Sequence, residues 1–336
     1  MDAGTGHGLW KHDTGAPVIA EVLVADDRVY VGSCDNAMWC FDAGTGKRLW
    51  RFGTDHYIGG GVTFSDGKIY FGSYDHHAYC LDAATGEEVW RFETEGWVFP
   101  TPFVYGDRVY LGSLDGYLYC LDAATGSPRW KFETKGKVYS SPYVWEDKVY
   151  FGSDDTWLRC LDAGTGDVIW RYRDPDYWHY IRSRIVVHDG RVYFGCLNHI
   201  IYCVDAADGK ELWRHKTTNT VEAGGIVVGE LADGRAFTVS QPARRIEGGE
   251  WPLTPAISPE GRGDNEVADA MFLIGSANGS LYCLDAVEGD VIWVYGAKEH
   301  VVSDPTYADG VAFFASDDGY LYAVKSYLED EKSEED

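Results

Sequence analysis

A nine-residue string, D-A-x-x-G-x-x-x-W, recurs along the chain and constrains its fold more than any other feature. The tryptophans that end the string follow one another at 40, 40, 40, 40, 43 and 80 residues. Such a period is typical of folds in which repeats bury their apolar surfaces against each other. The last gap holds two periods and predicts one degenerate copy at about 220–251, with Trp251 near the expected position. The string occurs at Asp2–Trp10, Asp42–Trp50, Asp82–Trp90, Asp122–Trp130, Asp162–Trp170, Asp205–Trp213 and Asp285–Trp293.

Each copy contains four short apolar segments separated by turn residues, as residues 137–172 illustrate. Segments that are apolar on both sides indicate strands buried on both faces, which a radial array of blades provides. The sequence therefore predicts an all-β, eight-bladed β-propeller with four-stranded antiparallel blades. The expected second strands begin at Val29, Ile69, Val109, Val149, Val192, Ala236, Phe272 and Ala312.

The two ends of the chain complement each other in this reading. The last copy stops after its third strand, and residues 1–10 supply the string and the fourth strand that it lacks. We expect the N-terminal strand to pair into the last blade and close the ring. The prediction is one domain over residues 1–327, followed by an acidic disordered tail at 328–336.

The charge of the chain excludes some partners. A formal net charge of −25 repels phosphates and anionic lipids, so neither nucleic acid nor membrane insertion is expected. The acidity serves solubility or an adaptation to high salt, and we favour a halophilic origin. The N-terminus lacks the basic and apolar regions of a signal peptide. We expect a cytoplasmic monomer, with an exported or cell-surface form left open.

Six of the eight cysteines occupy one slot of the repeat, two residues before the aspartate of the string. Equivalent positions in neighbouring blades lie too far apart for a disulfide bond, so we expect buried thiols that pack as small apolar groups. Free thiols favour a reducing compartment. The six are Cys40, Cys80, Cys120, Cys160, Cys203 and Cys283.

The full repeat, V-x-S-S-P-x-V followed by V-Y-x-G-S-x-D-G-x-L-Y-x-L-D-A-x-T-G-x-x-x-W, resembles the pyrroloquinoline-quinone (PQQ) type propeller repeat. The resemblance implies that the tryptophan of each string docks between blades. One branch of this family contains quinone-dependent dehydrogenases, and a non-catalytic branch is exemplified by the lipoprotein BamB. The docking residues implied are Trp10, Trp50, Trp90, Trp130, Trp170, Trp213 and Trp293.

The dehydrogenase branch is marked by an adjacent Cys-Cys pair and long insertions, which this sequence lacks. We therefore predict no cofactor, no catalytic residue and no metal site. The leading hypothesis is a non-enzymatic scaffold that binds a protein or peptide. The alternatives are a PQQ- and calcium-dependent enzyme, or a carbohydrate binder that uses Trp97, Trp157 and Trp178 as stacking platforms.

The candidate binding residues lie on the face where the copies differ. This face carries the loop before each first strand and the hairpin between the second and third strands, and variable loops of repeat proteins commonly bind ligands. Arg182 and Arg184 are expected near Glu21 and Asp304, where they neutralise channel carboxylates or bind an anion. His76 and His77 form an exposed hairpin tip, or else a metal site, which would need further ligands in the correct geometry. The candidates are His56, Tyr57, His76, His77, Trp97, Tyr139, Tyr177, Trp178, His179, Arg182, Arg184, His199, Arg244 and Arg245.

Overall fold

The computed structural model describes residues 9–230, 236–239, 270–301, 303–308 and 311–325. The chain divides into two compact units, Met1–Ile185 and Val186–Asp336. In the described ranges all regular structure is β-strand. That part of the chain contains no helix long and apolar enough to cross a membrane.

The first unit contains four antiparallel sheets, each with four strands in chain order. The first strands of successive sheets lie beside one another, so each sheet forms one blade. The strands are β1 (Leu23–Ala25), β2 (Arg28–Ser33), β3 (Ala37–Asp42), β4 (Arg48–Gly53), β5 (Val62–Ser65), β6 (Lys68–Gly72), β7 (His77–Asp82), β8 (Glu88–Glu93), β9 (Phe103–Tyr105), β10 (Arg108–Gly112), β11 (Tyr117–Asp122), β12 (Pro128–Glu133), β13 (Tyr143–Trp145), β14 (Lys148–Gly152), β15 (Leu158–Asp162) and β16 (Val168–Tyr172).

The second unit contains sheets of four, five and three described strands. The five-stranded sheet has the order β22-β21-β23-β24-β25, while the other two follow chain order. The strands are β17 (Val186–His188), β18 (Arg191–Cys196), β19 (Ile200–Asp205), β20 (Glu211–Lys216), β21 (Gly225–Glu230), β22 (Ala236–Val239), β23 (Met271–Ser276), β24 (Ser280–Asp285), β25 (Val291–Gly296), β26 (Thr306–Ala308), β27 (Val311–Ala315) and β28 (Leu321–Lys325).

The turn inside the repeated string is built by its aspartate and its glycine. In the third blade, Asp122 Oδ1 accepts the backbone N–H groups of Ala124 and Thr125 at 3.1 and 3.0 Å. Gly126 then adopts a φ of 71°, a conformation that costs glycine little. The turn therefore requires the spacing between the aspartate and the glycine, which explains why the string recurs without insertions.

The string's tryptophan packs on the corresponding turn of the next blade. Trp90 Nε1 donates to the Ala123 carbonyl at 3.0 Å. A Cβ atom on Gly126 would lie 2.7 Å from the Trp90 ring, so only glycine admits the indole there. Trp10, Trp50 and Trp130 make the same bond to the alanine 33 residues later. Trp170 is buried beside Tyr150, at 5.8 Å between ring centres.

Trp213 and Trp293 are the predicted docking tryptophans that lie in the second unit. Trp213 Nε1 donates to the Ala286 carbonyl at 3.3 Å, across 73 residues. The partly buried Trp293 packs against a core that includes Phe314, and its Nε1 finds no acceptor within the described ranges. Trp251 lies outside the described residues.

The all-β propeller of four-stranded antiparallel blades is confirmed, but the predicted number of blades is wrong: the structure has seven, not eight. Trp213 reaches Ala286 by the bond that its counterparts make over 33 residues, so the chain from Trp213 to Trp293 adds one blade, not two. Strand β21 pairs directly with β23 and serves as the first strand of that sheet. The expected second strand at Ala236 is β22, which extends the same sheet from the other edge of β21.

Some predictions fall on residues that are not described. Of the expected closing strand at 1–10, only Leu9 and Trp10 belong to the described residues, and neither is in a strand. The tail at 328–336 also lies outside them, as does most of the predicted degenerate blade at 220–251 beyond β21 and β22.

All eight cysteines are free thiols, and seven of them are buried. In the first unit Cys40, Cys80, Cys120 and Cys160 lie in the third strand of successive blades, opposite the docking tryptophan of the fourth strand. Burial raises the pKa of the Cys80 thiol to about 12 and that of Cys120 to about 11. These side chains are therefore core groups with little thiolate character.

Candidate functional site

The loop before each first strand and the following hairpin are joined by backbone hydrogen bonds on one face. In the second and third blades, Tyr74 N donates to Tyr57 O and Leu114 N donates to Trp97 O, both at 2.9 Å. The other two turns of a blade pair with each other, as Ala83 N does with Gly67 O. Because antiparallel strands alternate in direction, these two sets of turns occupy opposite faces.

On the first of these faces, the first unit carries a chain of touching rings that we call the aromatic belt. Its members come from the loops and hairpins of the second, third and fourth blades and from the loop after β16. The aromatic belt consists of His56, Tyr57, Tyr74, Trp97, Phe99, Tyr139, Tyr180 and Arg182.

The rings from His56 to Tyr139 contact one another in succession, and the Arg182 guanidinium links Tyr139 to Tyr180. Tyr57 lies 6.3 Å from Tyr74, which stacks on Trp97 at 4.7 Å with the ring planes 3° apart. Tyr74 also lies 6.0 Å from Phe99, and Phe99 lies 6.0 Å from Tyr139. Burial raises the pKa of the Tyr74 phenol, and the neighbouring Tyr139 adds to this, so Tyr74 presents a neutral hydroxyl.

Arg182 occupies one end of the aromatic belt. Its Cζ lies 4.4 Å from the centre of the Tyr139 ring and 5.0 Å from that of Tyr180. Its Nε and Nη2 donate to the two carboxylate oxygens of Asp154 at 2.8 and 2.9 Å. The two-bonded pair is the geometry in which guanidinium and carboxylate bind most strongly. The cation is therefore neutralised within the protein, and the aromatic belt is close to neutral in a chain of charge −25.

Tyr57 and Tyr180 of the aromatic belt each follow a histidine, and the two His-Tyr pairs have the same local structure. Tyr57 N donates to His56 Nδ1 at 2.8 Å, and Tyr180 N donates to His179 Nδ1 at 2.9 Å. An Nδ1 that accepts a hydrogen bond carries no proton, so the proton of each neutral imidazole is on Nε2. In both pairs the rings are nearly perpendicular, at 74° and 65°. Each pair thus combines an exposed phenol with an imidazole of fixed tautomer.

The aromatic belt is accessible to a ligand. Tyr57 is 42% exposed, Trp97 43% and Tyr180 40%. Tyr74, Phe99 and Tyr139 are half-buried between them. Exposed aromatic rings that are fixed by their neighbours lose little side-chain entropy on binding, and they are enriched at protein interfaces.

Arg184 lies two residues from Arg182 but pairs elsewhere. Its Nη2 donates to both carboxylate oxygens of Glu21 at 2.5 Å, across 163 residues. The Arg184 side chain is 10% exposed. Gly61 leaves room for this pair, because a Cβ atom there would lie 2.7 Å from Glu21 Oε2. Glu21, Gly61, Thr101, Ser141 and Arg184 occupy equivalent positions of successive repeats. Neighbouring members of this set are in contact, as Gly61 N with Thr101 Oγ1 and Thr101 N with Ser141 Oγ, both at 3.0 Å.

Other sequence candidates do not join the aromatic belt. His76 has a φ of 72°, and its carbonyl accepts the Thr94 N–H at 2.8 Å, so it forms the hairpin turn. His77 Nδ1 contacts the Asp75 carbonyl at 2.9 Å. In the second unit, His199 occupies the same turn position as His76, with a φ of 70°. Arg244 and Arg245 lie outside the described residues.

Tyr177 and Trp178 lie in the loop after β16. They are 59% and 61% exposed. Asp174 is buried, and its Oδ1 accepts the N–H groups of Asp176 and Tyr177 at 2.8 and 3.0 Å. This local turn sets the backbone path of the loop, and the side chains of Tyr177 and Trp178 are exposed to solvent.

Sequence reasoning missed four residues of this site: Tyr74, Phe99, Tyr180 and Asp154. Tyr74 and Asp154 share one hairpin slot, in which other blades of the first unit carry Cys34 and Leu114. The variation at this slot was the sequence signal that could have indicated Tyr74 and Asp154. Phe99 and Tyr139 share a register of the first strands, and that register alone could have indicated their contact.

The donors of this face do not fit a quinone cofactor with a calcium ion. Calcium requires several oxygen ligands in one place. Asp154 is bound by the guanidinium of Arg182 at the end of the aromatic belt, and Glu21 is bound by that of Arg184. Within the described ranges, no group of three or more His, Cys, Asp or Glu side chains is arranged to hold a metal ion. The prediction that no cofactor binds stays a prediction.

Comparison with known proteins identifies the family. A family model described as outer membrane protein assembly factor BamB matches residues 1–57, 40–119, 106–225 and 197–327. The chain belongs to the BamB family. The whole aromatic belt falls within the matched ranges.

Solved structures agree with this BamB-family assignment at the level of the fold. BamB from Moraxella catarrhalis superposes with a TM-score of 0.69 at 17% identity, covering 96% of this chain and 87% of that chain. The computationally designed Ika8 protein gives a TM-score of 0.60 at 19% identity, covering 93% of this chain and 96% of that chain. No curated protein matches the sequence.

Proposed function

We propose that the chain is a non-catalytic propeller that binds an extended segment of a partner protein along the aromatic belt. The observation that carries this proposal is the continuity of the rings from Tyr57 to Arg182, with Tyr57, Trp97 and Tyr180 about two-fifths exposed. A row of exposed aromatic rings suits an extended peptide, whose alternate side chains rest on the rings. The description of the BamB family as an assembly factor supports a protein partner.

The electrostatics of the aromatic belt support an uncharged ligand segment. Asp154 neutralises Arg182, so no free cation attracts an anion there. The exposed phenols of Tyr57 and Tyr180 supply hydrogen-bond groups for a peptide backbone. We therefore expect a segment rich in proline, aromatic or aliphatic side chains. The absence of a cofactor, the monomeric state and the cytoplasmic location stay predictions.

A peptide selection tests this proposal. A library of twelve-residue peptides displayed on phage is panned on the full chain, and enriched peptides are titrated by fluorescence anisotropy. We expect Trp97→Ala to weaken their binding about tenfold or more, as for an aromatic anchor at an interface. Tyr320→Ala is the matched control, because Tyr320 is an exposed aromatic residue, at 62%, in the other unit. The Tyr320→Ala variant should bind the enriched peptides with the affinity of the wild type.

Two results would contradict the proposal. One is a set of enriched peptides that bind Trp97→Ala and the wild type equally. The other is the absence of any enriched peptide together with binding of defined sugars on a glycan array, which would favour the carbohydrate-binding alternative.

A further inference from the structure

A second surface of the first unit combines two exposed arginines with one exposed and one half-buried indole. At the end of the outer strand of the fourth blade, Arg171 in β16 and Arg173 just after it each place Cζ 4.5 Å from the centre of the Trp157 ring. Arg173 also lies 5.5 Å from Trp178. Both arginines are exposed. We call these four residues the Arg–Trp cluster, and it is separate from the aromatic belt.

Arg171 differs from the arginines at the same position of other blades. Each of those binds a carboxylate, whereas Arg171 has no carboxylate within 4.0 Å in the described part of the chain. Its blade has Val168 three residues earlier, where the second blade has a glutamate. The paired counterparts are Arg51 with Asp35 at 3.2 Å, Arg91 with Glu88 at 2.6 Å and Arg214 with Glu211 at 2.6 Å.

The hairpin carboxylate of the fourth blade is also committed elsewhere. Asp155 occupies the position from which Asp35 reaches Arg51 in the first blade. In the fourth blade, however, Asp155 pairs with Arg159, and both side chains are buried, at 7% and 8% exposed. Arg159 replaces the tyrosine of the second and third blades, Tyr79 or Tyr119. This buried pair removes the carboxylate that would otherwise neutralise the surface arginine.

At Arg173 the charge is reversed relative to two neighbouring blades. The same position holds Glu93 in the second blade and Glu133 in the third. Across the strand pair, the residue opposite is His77, Tyr117 or Trp157. The fourth blade thus replaces an acidic position with a cation and places the largest aromatic side chain beside it.

We propose that the Arg–Trp cluster binds an acidic segment of a partner protein, in which carboxylates stand next to an apolar side chain. Two guanidiniums that meet no carboxylate among the described residues form a local positive patch on a chain of charge −25. The guanidinium fork matches a carboxylate. Trp178, 61% exposed, and Tyr177, 59% exposed, supply the contact for the apolar side chain. A dense polyanion is disfavoured, because its other charges would face the acidic remainder of the surface.

The probe is a fluorescein-labelled twelve-residue peptide of Asp and Glu with one central Phe, titrated by anisotropy against the full chain. Its counterpart carries Asn and Gln in place of the acids. We expect the acidic peptide alone to bind, and the double variant Arg171→Gln, Arg173→Gln to bind it about tenfold more weakly. Trp178→Ala should also weaken it. Added salt should weaken the wild-type complex, because these charges are exposed to solvent.

The matched control is the double variant Arg48→Gln, Arg51→Gln. It removes the same two charges, from guanidiniums that also lie over one indole, Trp39, at 5.7 and 5.1 Å. That indole is buried and Arg51 is already paired, so acidic-peptide binding should be unchanged. Trp97→Ala should leave it unchanged as well, which separates this surface from the aromatic belt.

Three outcomes would overturn the proposal. The first is equal binding of the acidic and amide peptides. The second is equal loss in the two double variants, which would indicate a general effect of net charge. The third is binding of a sulfated polysaccharide that depends on Arg171 and Arg173 when the peptide does not bind. Unchanged thermal unfolding of each variant confirms that the comparison is made on folded protein.

Discussion

Arg182 and Asp154 meet through two hydrogen bonds of 2.8 and 2.9 Å that join the loop after β16 to the hairpin between β14 and β15. The bonds fix the plane of the guanidinium, which places its faces against Tyr139 and Tyr180. Arg182 therefore organises the end of the aromatic belt. A ligand therefore meets the rings that Arg182 holds in place, because the charge of Arg182 is already paired with Asp154.

The pair predicts a difference between two arginines. Arg182→Ala removes both donors from Asp154, whose side chain is 12% exposed, so we expect a loss of about 1–3 kcal/mol in the free energy of unfolding. Arg171→Ala removes an exposed arginine without a carboxylate and should cost no more than about 0.5 kcal/mol. Urea denaturation followed by tryptophan fluorescence measures both. Equal losses in the two variants would show that the Asp154 pair contributes nothing specific.

The docking of tryptophan on glycine predicts a second matched pair of variants. Gly126 and Gly106 both have positive φ, at 71° and 59°. Ala at Gly126 would meet the Trp90 ring at 2.7 Å, whereas Ala at Gly106 would meet nothing within 4 Å. We expect Gly106→Ala to cost about 1–2 kcal/mol through its backbone alone. Gly126→Ala should cost at least about 1 kcal/mol more, because the indole must move.

Thermal unfolding by circular dichroism separates the two glycine variants. Trp90→Phe is the further control, since it removes the indole N–H that donates to Ala123. If Gly126→Ala and Gly106→Ala melt at the same temperature, the close contact between Trp90 and Gly126 is not a constraint on the fold.

The repeat made the structure of each blade predictable, but it did not give the number of blades. Four strands, the aspartate turn and the tryptophan position all follow from local residues that recur. Counting blades instead assumed that every 40 residues form one. Ala236–Val239 has the apolar pattern of a second strand, yet it pairs with β21 at the other edge of an existing sheet. Strand pattern alone does not fix the partner of a strand.

The candidate site was predictable in its location and only partly in its members. Loops that differ between copies indicated His56, Tyr57 and Trp97, and a variable position of the first strands indicated Tyr139 and Arg182. The missing members, Tyr74 and Tyr180 among them, complete contacts between blades. Those contacts depend on distances across the sheets, which a single sequence does not contain.

Burial of the slot cysteines predicts their reactivity. Burial raises the pKa of Cys40 and Cys160 to about 12, and the thiolate is the reactive form. At pH 8 the folded protein should therefore react rapidly at Cys34 alone, the one thiol that is not fully buried. After unfolding in urea, all eight thiols should react. Titration with Ellman's reagent counts them, and rapid reaction of more than one in the folded protein would contradict the buried slot.

The turn carboxylate Asp122 predicts how stability changes in acid. Hydrogen bonds from Arg129, and then from Thr125, hold the pKa of Asp122 at about 2, below the value of about 3.9 in an unfolded chain. Because the folded pKa is the lower one, this contribution is complete above pH 4 and is lost as the pH falls through 2. Urea midpoints of the wild type and Asp122→Asn should differ at pH 5 and converge near pH 2. Asp290→Asn removes an exposed carboxylate that accepts no hydrogen bond from the described residues, so its midpoints should parallel those of the wild type. A constant difference between the wild type and Asp122→Asn from pH 5 to pH 2 would show that ionisation of Asp122 does not stabilise the turn.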